Sequence, residues 1–231
     1  RRKTIKNIRS EISELKRLYQ PEFLYFVDDS FLARPKNEIF DFCDMYEEFK
    51  IPFWFNTRPE NCKAEYLKRL KEVGSYRISF GVECGNENFR QKVLLRKPSN
   101  AEIIQSFKVI ADSKIPFSIN LIIGFPGETR ELIMETVSLV KKIYGYDTLT
   151  VSIFTPYRGT VLQKIAVKNG WLVKDHITVH TTSSTVLKMP PPYLNRNEID
   201  TLMKMLPLYV YFPYSMWEDI QLAEQNNENG K

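Results

Sequence analysis

The chain has 231 residues, 43% of them hydrophobic and 26% charged, which suits a globular fold large enough to bury a substantial core. No apolar run approaches the roughly 18–20 residues of a membrane-spanning helix, and the opening Arg1-Arg-Lys3 leads into a helical pattern rather than a secretory leader. The net charge of +5 is interspersed with acids, as in Glu11-Ile-Ser-Glu-Leu-Lys-Arg17, so a nucleic-acid-binding stripe is not expected.

Three cysteines, Cys43, Cys62 and Cys84, are odd in number and far apart. That usage points to a reducing, cytoplasmic compartment, and no pair has the close spacing of a zinc or iron–sulfur site. Cys43 and Cys84 are read as core thiols. The absence of an initiator Met leads to the expectation that the sequence is a piece of a longer protein.

In chain order, Ile5, Ile8, Ile12, Leu15 and Leu18 recur at helical spacing and predict a helix over residues 4–19, stopped by Pro21. Residues 23–27, Phe-Leu-Tyr-Phe-Val, form an apolar run that predicts a parallel strand buried on both faces, ending in Asp28-Asp-Ser30. A helix over 37–49 follows, then a strand over 51–55 ending at Asn56-Thr-Arg58. The next helix, 63–73, is capped by Gly74.

The stretch from Tyr76 to Gly85 predicts a short strand, 76–80, that breaks at Gly81 and delivers Glu83 just past its end. Helical stretches at 88–95 and 99–113 lead to a strand over 116–123, closed by Gly124-Phe-Pro-Gly-Glu-Thr129. Helix 131–144, strand 149–154, the turn Thr155-Pro-Tyr-Arg-Gly159 and helix 161–168 complete the alternation. Beyond Gly170 the pattern becomes irregular, with a Thr/Ser run at 181–185. Helix follows over 195–226, interrupted near Pro207 and Pro213, with the aromatic run 209–214 packed on the core and a frayed tail at 225–231.

Five strands alternating with helices at roughly 25–35-residue intervals predict repeated βαβ units, whose right-handed crossovers bring every strand's C-terminus to one edge. To that edge the sequence assigns Asp28, Asp29, Asn56, Arg58, Glu83, Asn120, Glu128 and Thr155, while the opposite ends carry Pro21, Pro52, Gly74 and Pro116. Polar groups gathered at one end of a parallel sheet form a ligand site.

Five segments together carry a resemblance: Phe26-Val-Asp-Asp-Ser-Phe31, Ile78-Ser-Phe-Gly-Val-Glu83, Arg96-Lys97, Ile122-Ile-Gly-Phe-Pro-Gly-Glu-Thr129 and Phe154-Thr-Pro-Tyr-Arg-Gly-Thr160. In this order the chain resembles the radical S-adenosylmethionine (SAM) superfamily, and within it the cobalamin-binding-type branch that includes the anaerobic magnesium-protoporphyrin monomethyl ester cyclases. The resemblance runs over residues 1–170 and more loosely to Trp217. It implies an α/β fold: a partial (β/α)6 TIM-like barrel of parallel strands, of which residues 1–170 hold strands two to six and lack the first. A C-terminal extension, 171–231, is irregular and then helical.

The resemblance also implies cofactors and positions for them. SAM would lie across the strand ends, its amino group at Asp28, Asp29 and Ser30, and its ribose hydroxyls at Glu83 and Asn120. Arg96 would meet its carboxylate, and the backbone at Gly124 and at Phe154, Thr155 and Pro156 would approach the adenine. Asn56 matches a polar position after the third barrel strand. The family's [4Fe–4S] cluster, which delivers the electron that cleaves SAM to a 5′-deoxyadenosyl radical, needs a Cys-x3-Cys-x2-Cys loop absent from this sequence. Its ligands, like any cobalamin-binding domain, are expected upstream, no metal ligand is assigned within the chain, and the substrate is expected to be a small molecule.

Three other readings stay open: a radical SAM methylthiotransferase acting on RNA or protein, a barrel aldolase or isomerase, and a non-catalytic scaffold. The first would carry a basic RNA-binding barrel after the core. The second needs a Lys or His base at a strand end, where neither His176 nor His180 falls.

Overall fold

The computed structural model describes residues 3–178 and 184–225. His180, residues 181–183 of the Thr/Ser run and the tail 226–231 lie outside them. Five parallel strands, β1 (Leu24–Phe26), β2 (Phe53–Thr57), β3 (Ser75–Glu83), β4 (Phe117–Ile123) and β5 (Thr148–Ile153), form one sheet in sequence order. The helices between and after them are α1 (Ile5–Tyr19), α2 (Lys36–Tyr46), α3 (Ala64–Glu72), α4 (Glu87–Lys92), α5 (Asn100–Asp112), α6 (Arg130–Val140), α7 (Val161–Lys168), α8 (Arg196–Tyr211) and α9 (Trp217–Ala223). The expected α/β alternation and the helical C-terminal segment are both present.

The chain forms two compact units, one of residues 3–81, 101–119 and 144–148, the other of residues 82–100, 120–143, 149–178 and 184–225. The first is built on aromatic packing. Phe26 meets Phe42 edge-on at 5.4 Å and Phe53 at 5.5 Å, and Phe80, Phe107 and Phe117 form a second group with Phe80–Phe107 at 5.5 Å. β2 alternates as the two-residue period dictates: Phe53, Phe55 and Thr57 are buried and Trp54 and Asn56 half-buried.

β1 corrects an expectation. It lies at one end of the strand order and Phe23 and Val27 are exposed, so only Phe26 enters the aromatic cluster. Alternate residues Phe23, Tyr25 and Val27 are exposed while Leu24 and Phe26 are half-buried, so one face of the strand stays uncovered however apolar its sequence. β3 corrects a second one. It does not break at Gly81 but runs to Glu83, and the reversal falls on Glu83 itself, at φ +65°.

The second unit is organised around Cys84, Phe89, Phe125, Phe154, Leu172, Leu187 and Met189, all buried. α8 opens with a capping box in which Asn195 accepts from the Glu198 N–H and Glu198 accepts from the Asn195 N–H. α8 also runs unbroken through Pro207, where an interruption was expected. A proline removes one helical N–H, but buried Leu206, Tyr209 and Val210 around it outweigh that local cost. The helix stops before Pro213, as expected. Lys141 Nζ donates to the carbonyls of Val210 at 2.9 Å and Phe212 at 2.6 Å, satisfying groups that a helix end leaves open. Of the aromatic run, Tyr209 and Val210 pack inward while Tyr211, Phe212 and Tyr214 are exposed, a correction to its expected burial.

Candidate functional site

In the first unit the loop after β1 is closed locally. Asp28 Oδ1 accepts from the Ser30 N–H at 3.2 Å, its other oxygen pairs with Arg34, and Ser30 Oγ accepts from Asn61 Nδ2 at 2.9 Å. Phe31 N donates to Asn56 O at 2.9 Å, tying this loop to the end of β2. Asn56 Nδ2 reaches the Tyr25 hydroxyl at 2.5 Å. Asp29 alone of the acidic pair is exposed. The loop borders a groove of about 770 Å³, lined also by Lys3, Glu11 and Leu15 of the N-terminal segment and α1. A free ammonium would therefore meet Asp29 as an available carboxylate, and Asp28 as one already engaged by Arg34.

The second unit holds the other candidates. Glu83 ends β3 with its side chain 24% exposed, and Arg96, whose side chain is 8% exposed, brings Nη1 to 3.9 Å from Glu83 Oε1. Asn120 is half-buried on β4. Gly124 adopts φ +80°, a conformation glycine takes without strain. Its N–H donates to Glu128 Oε2 at 2.7 Å, and Phe125 N donates to the same oxygen at 3.2 Å. Phe154 N donates to Ile123 O at 2.9 Å, Thr155 Oγ1 to Ile153 O at 3.4 Å, and Pro156 O accepts from Thr178 Oγ1 at 2.7 Å.

The structure thus joins Asp28, Ser30 and Asn56 in one unit and Glu83 with Arg96 in the other. Two further residues escaped sequence reasoning. Glu128 was assigned only to the strand-end edge, yet it is fully buried and fastens the turn at Gly124, a role its place four residues after a strand-ending glycine could have suggested. Arg90, in the helical stretch expected over 88–95, is completely buried.

The three thiols do not suit a metal cluster. Burial pushes Cys43 and Cys84 up to about 12 and Cys62 upward as well, whereas a ligand must be a thiolate. All three are free, and no group of three His, Cys, Asp or Glu among the described residues is placed to hold a metal ion. The set at the end of β3 has donor and acceptor types that fit SAM: a carboxylate such as Glu83 can accept from ribose hydroxyls, and a guanidinium such as Arg96 can donate to a carboxylate.

The family model of the radical SAM superfamily matches residues 1–140. The chain belongs to the radical SAM superfamily. Members of this superfamily use SAM and a [4Fe–4S] cluster. Among curated proteins it is 25% identical over 219 residues to an uncharacterized methyltransferase of Pyrococcus horikoshii, covering 94% of this chain and 47% of that protein. It is 34% identical over 116 residues to the tRNA-2-methylthio-N(6)-dimethylallyladenosine synthase of Clostridioides difficile, covering 48% of this chain and 24% of the synthase. The chain therefore spans about half the length, or less, of these relatives.

Among solved structures, coproporphyrinogen III oxidase of Escherichia coli, a radical SAM enzyme, is similar with TM-score 0.64 and 18% identity, over 88% of this chain and 44% of that one. The radical SAM methyltransferase TsrM of Kitasatospora setae, solved with cobalamin and a [4Fe–4S] cluster bound, is similar with TM-score 0.52 and 12% identity, over 66% and 29%. At these identities the likeness is one of fold. No helix among the described residues is long and apolar enough to cross a membrane.

Proposed function

We propose that this chain is the SAM-binding part of a cytoplasmic radical SAM enzyme, residues 1–170 forming the partial barrel and 171–231 its extension. Bound SAM would, on receiving one electron from the superfamily's [4Fe–4S] cluster, supply a 5′-deoxyadenosyl radical and leave methionine. The observation that carries the reading is Glu83, a carboxylate on a partly exposed side chain at the end of β3, with Arg96 Nη1 3.9 Å from its Oε1. In the first unit the resemblance assigns Asp28, Asp29 and Ser30 to the SAM amino group and Asn56 to a polar position; in the second it assigns Glu83 and Asn120 to the ribose and Arg96 to the methionyl carboxylate. In that unit too, the resemblance assigns the backbone of Gly124, Phe154, Thr155 and Pro156 to the adenine.

A small-molecule substrate and a cobalamin domain elsewhere in the protein extend this reading through the resemblance to the cobalamin-binding branch. Over the whole chain, the match to a methyltransferase at 94% coverage favours it over the methylthiotransferase reading, whose relative covers 48%.

Two measurements test the proposal in the whole enzyme. Glu83→Ala should weaken SAM binding by about tenfold or more, the loss expected for one charge-assisted hydrogen-bond acceptor. Unchanged affinity by calorimetry in a folded variant would remove Glu83 from the site. Changing Cys43, Cys62 and Cys84 together to alanine should leave the iron content as it was, because buried, protonated thiols hold none. Lost iron would place one of them on the cluster.

A further inference from the structure

Glu83 occupies an unusual backbone position. The Cys84 N–H donates to Val82 O at 2.9 Å across a three-residue turn whose central residue, Glu83, has φ +65°. Turns of this hand are rare and strained for a residue with a Cβ, and they persist only where their surroundings impose them. Here the carbonyls on both sides are gripped. Arg96 Nη1 lies 3.5 Å from Val82 O, and Arg90 Nη1 donates to Cys84 O at 2.8 Å.

Arg90 is the larger anomaly. It lies on α4 with no exposed surface, and its Nε and Nη2 both point at Pro98 O, at 3.3 and 2.7 Å. Burying a guanidinium is costly unless its donors are met, and an apolar side chain would fill such a place at lower cost. The charge makes sense through what it fastens. The span it closes, 84–100, is also tied by Asn100 Nδ2 to Gly85 O at 2.9 Å, by Asn100 N to Glu87 Oε2 at 2.6 Å and by Arg96 N to Arg90 O at 3.1 Å.

We propose that Arg90 is a positioning residue for Glu83. By bridging Cys84 O to Pro98 O it holds the strained turn that aims the Glu83 carboxylate. The inference rests on the assignment of Glu83 to SAM.

The test is a cycle of four proteins in the cluster-bearing whole enzyme: parent, Arg90→Lys, Glu83→Ala and the double variant, with SAM affinity read by calorimetry and folding by thermal melting. Lysine keeps the charge but cannot bridge two carbonyls with a rigid fork. Arg90→Lys should weaken SAM about tenfold beside Glu83, and less than about twofold where Glu83 is already alanine, since an absent carboxylate cannot be misaimed. An equal loss in both backgrounds would overturn the proposal in favour of general support of the fold. No loss in the Glu83 background would overturn it as well. If Glu83→Ala alone left affinity unchanged, the SAM assignment itself would fall, an outcome distinct from the other two. Should Arg90→Lys fail to fold, Arg90→Gln takes its place in the same cycle.

Discussion

Gly85→Ala is expected to destabilise the protein by about 3 kcal/mol, the upper end of what overpacking typically costs. A methyl group there would lie 2.4 Å from Thr136 Cα, 2.6 Å from Glu135 O and 2.7 Å from Thr136 N, all backbone atoms of α6. Backbone in the middle of a helix cannot swing aside as a side-chain tip can, so the 84–100 span or α6 must shift. The shift would also break the bond from Gly85 N to Thr136 Oγ1 at 2.7 Å. For a chain of this size the loss should lower Tm by about 6–12 °C. Thr136→Ala, which removes the bond from Gly85 N, the one from Thr136 Oγ1 to Leu132 O at 3.2 Å and a buried methyl group but adds no clash, should cost about 1–2 kcal/mol and separates the overpacking from the lost contacts. A Gly85→Ala protein melting within a degree or two of the parent would show that α6 and the span are not packed as described.

The second large effect is a dependence on pH. Burial raises the Glu128 carboxyl from 4.5 to about 8, against the opposing pull of the Phe125 and Gly124 N–H donors. The folded protein therefore keeps a proton that the unfolded chain releases between these values. The resulting stabilisation is complete below about pH 4.5 and is lost as pH rises through about 8. The Cys84 thiol, pushed up to about 12 by burial first and the Glu128 charge second, stays protonated across this range.

Glu128→Gln should abolish the slope. It keeps an oxygen to accept from Gly124 and Phe125, and it places its NH2 where Oε1 is now buried without a hydrogen-bond partner. The variant should match the parent near pH 5 and exceed it at pH 8 by an amount on the order of a few kcal/mol. Thermal melts from pH 5 to 9 read this directly. Parallel curves for the two proteins would mean that Glu128 is ionised in the fold throughout.

Much of the fold was legible along the chain, because its signals are local. Alternation of helix and strand follows from apolar spacing, and Pro21, Gly74 and Pro213 stop elements by their own backbone restrictions. The helix Val161–Lys168 is found at its predicted bounds because Thr160 caps it, accepting from Gln163 N at 3.2 Å. The motifs that carry the family were legible for the same reason, being contiguous runs at strand ends.

Context set the remaining features. Residues 23–27 are as apolar as a doubly buried strand, and only the fold shows that Phe23, Tyr25 and Val27 lie on an uncovered face. Pro207 is a helix breaker by propensity, yet the packing of Leu206, Tyr209 and Val210 carries α8 through it.

The sequence by itself determined the order and type of the elements, the superfamily and the carboxylate at the end of the third strand, all of which depend on residues adjacent in the chain. Tertiary structure alone decided that the reversal falls on Glu83 rather than Gly81 and that Asp28 is engaged by Arg34 while Asp29 is open. It decided too that Arg90 is buried and bridges two carbonyls. The physical reason is that burying a charge is tolerable only where remote carbonyls converge on it. For Arg90 those are Cys84 O and Pro98 O, brought together by the folding of the whole 84–100 span.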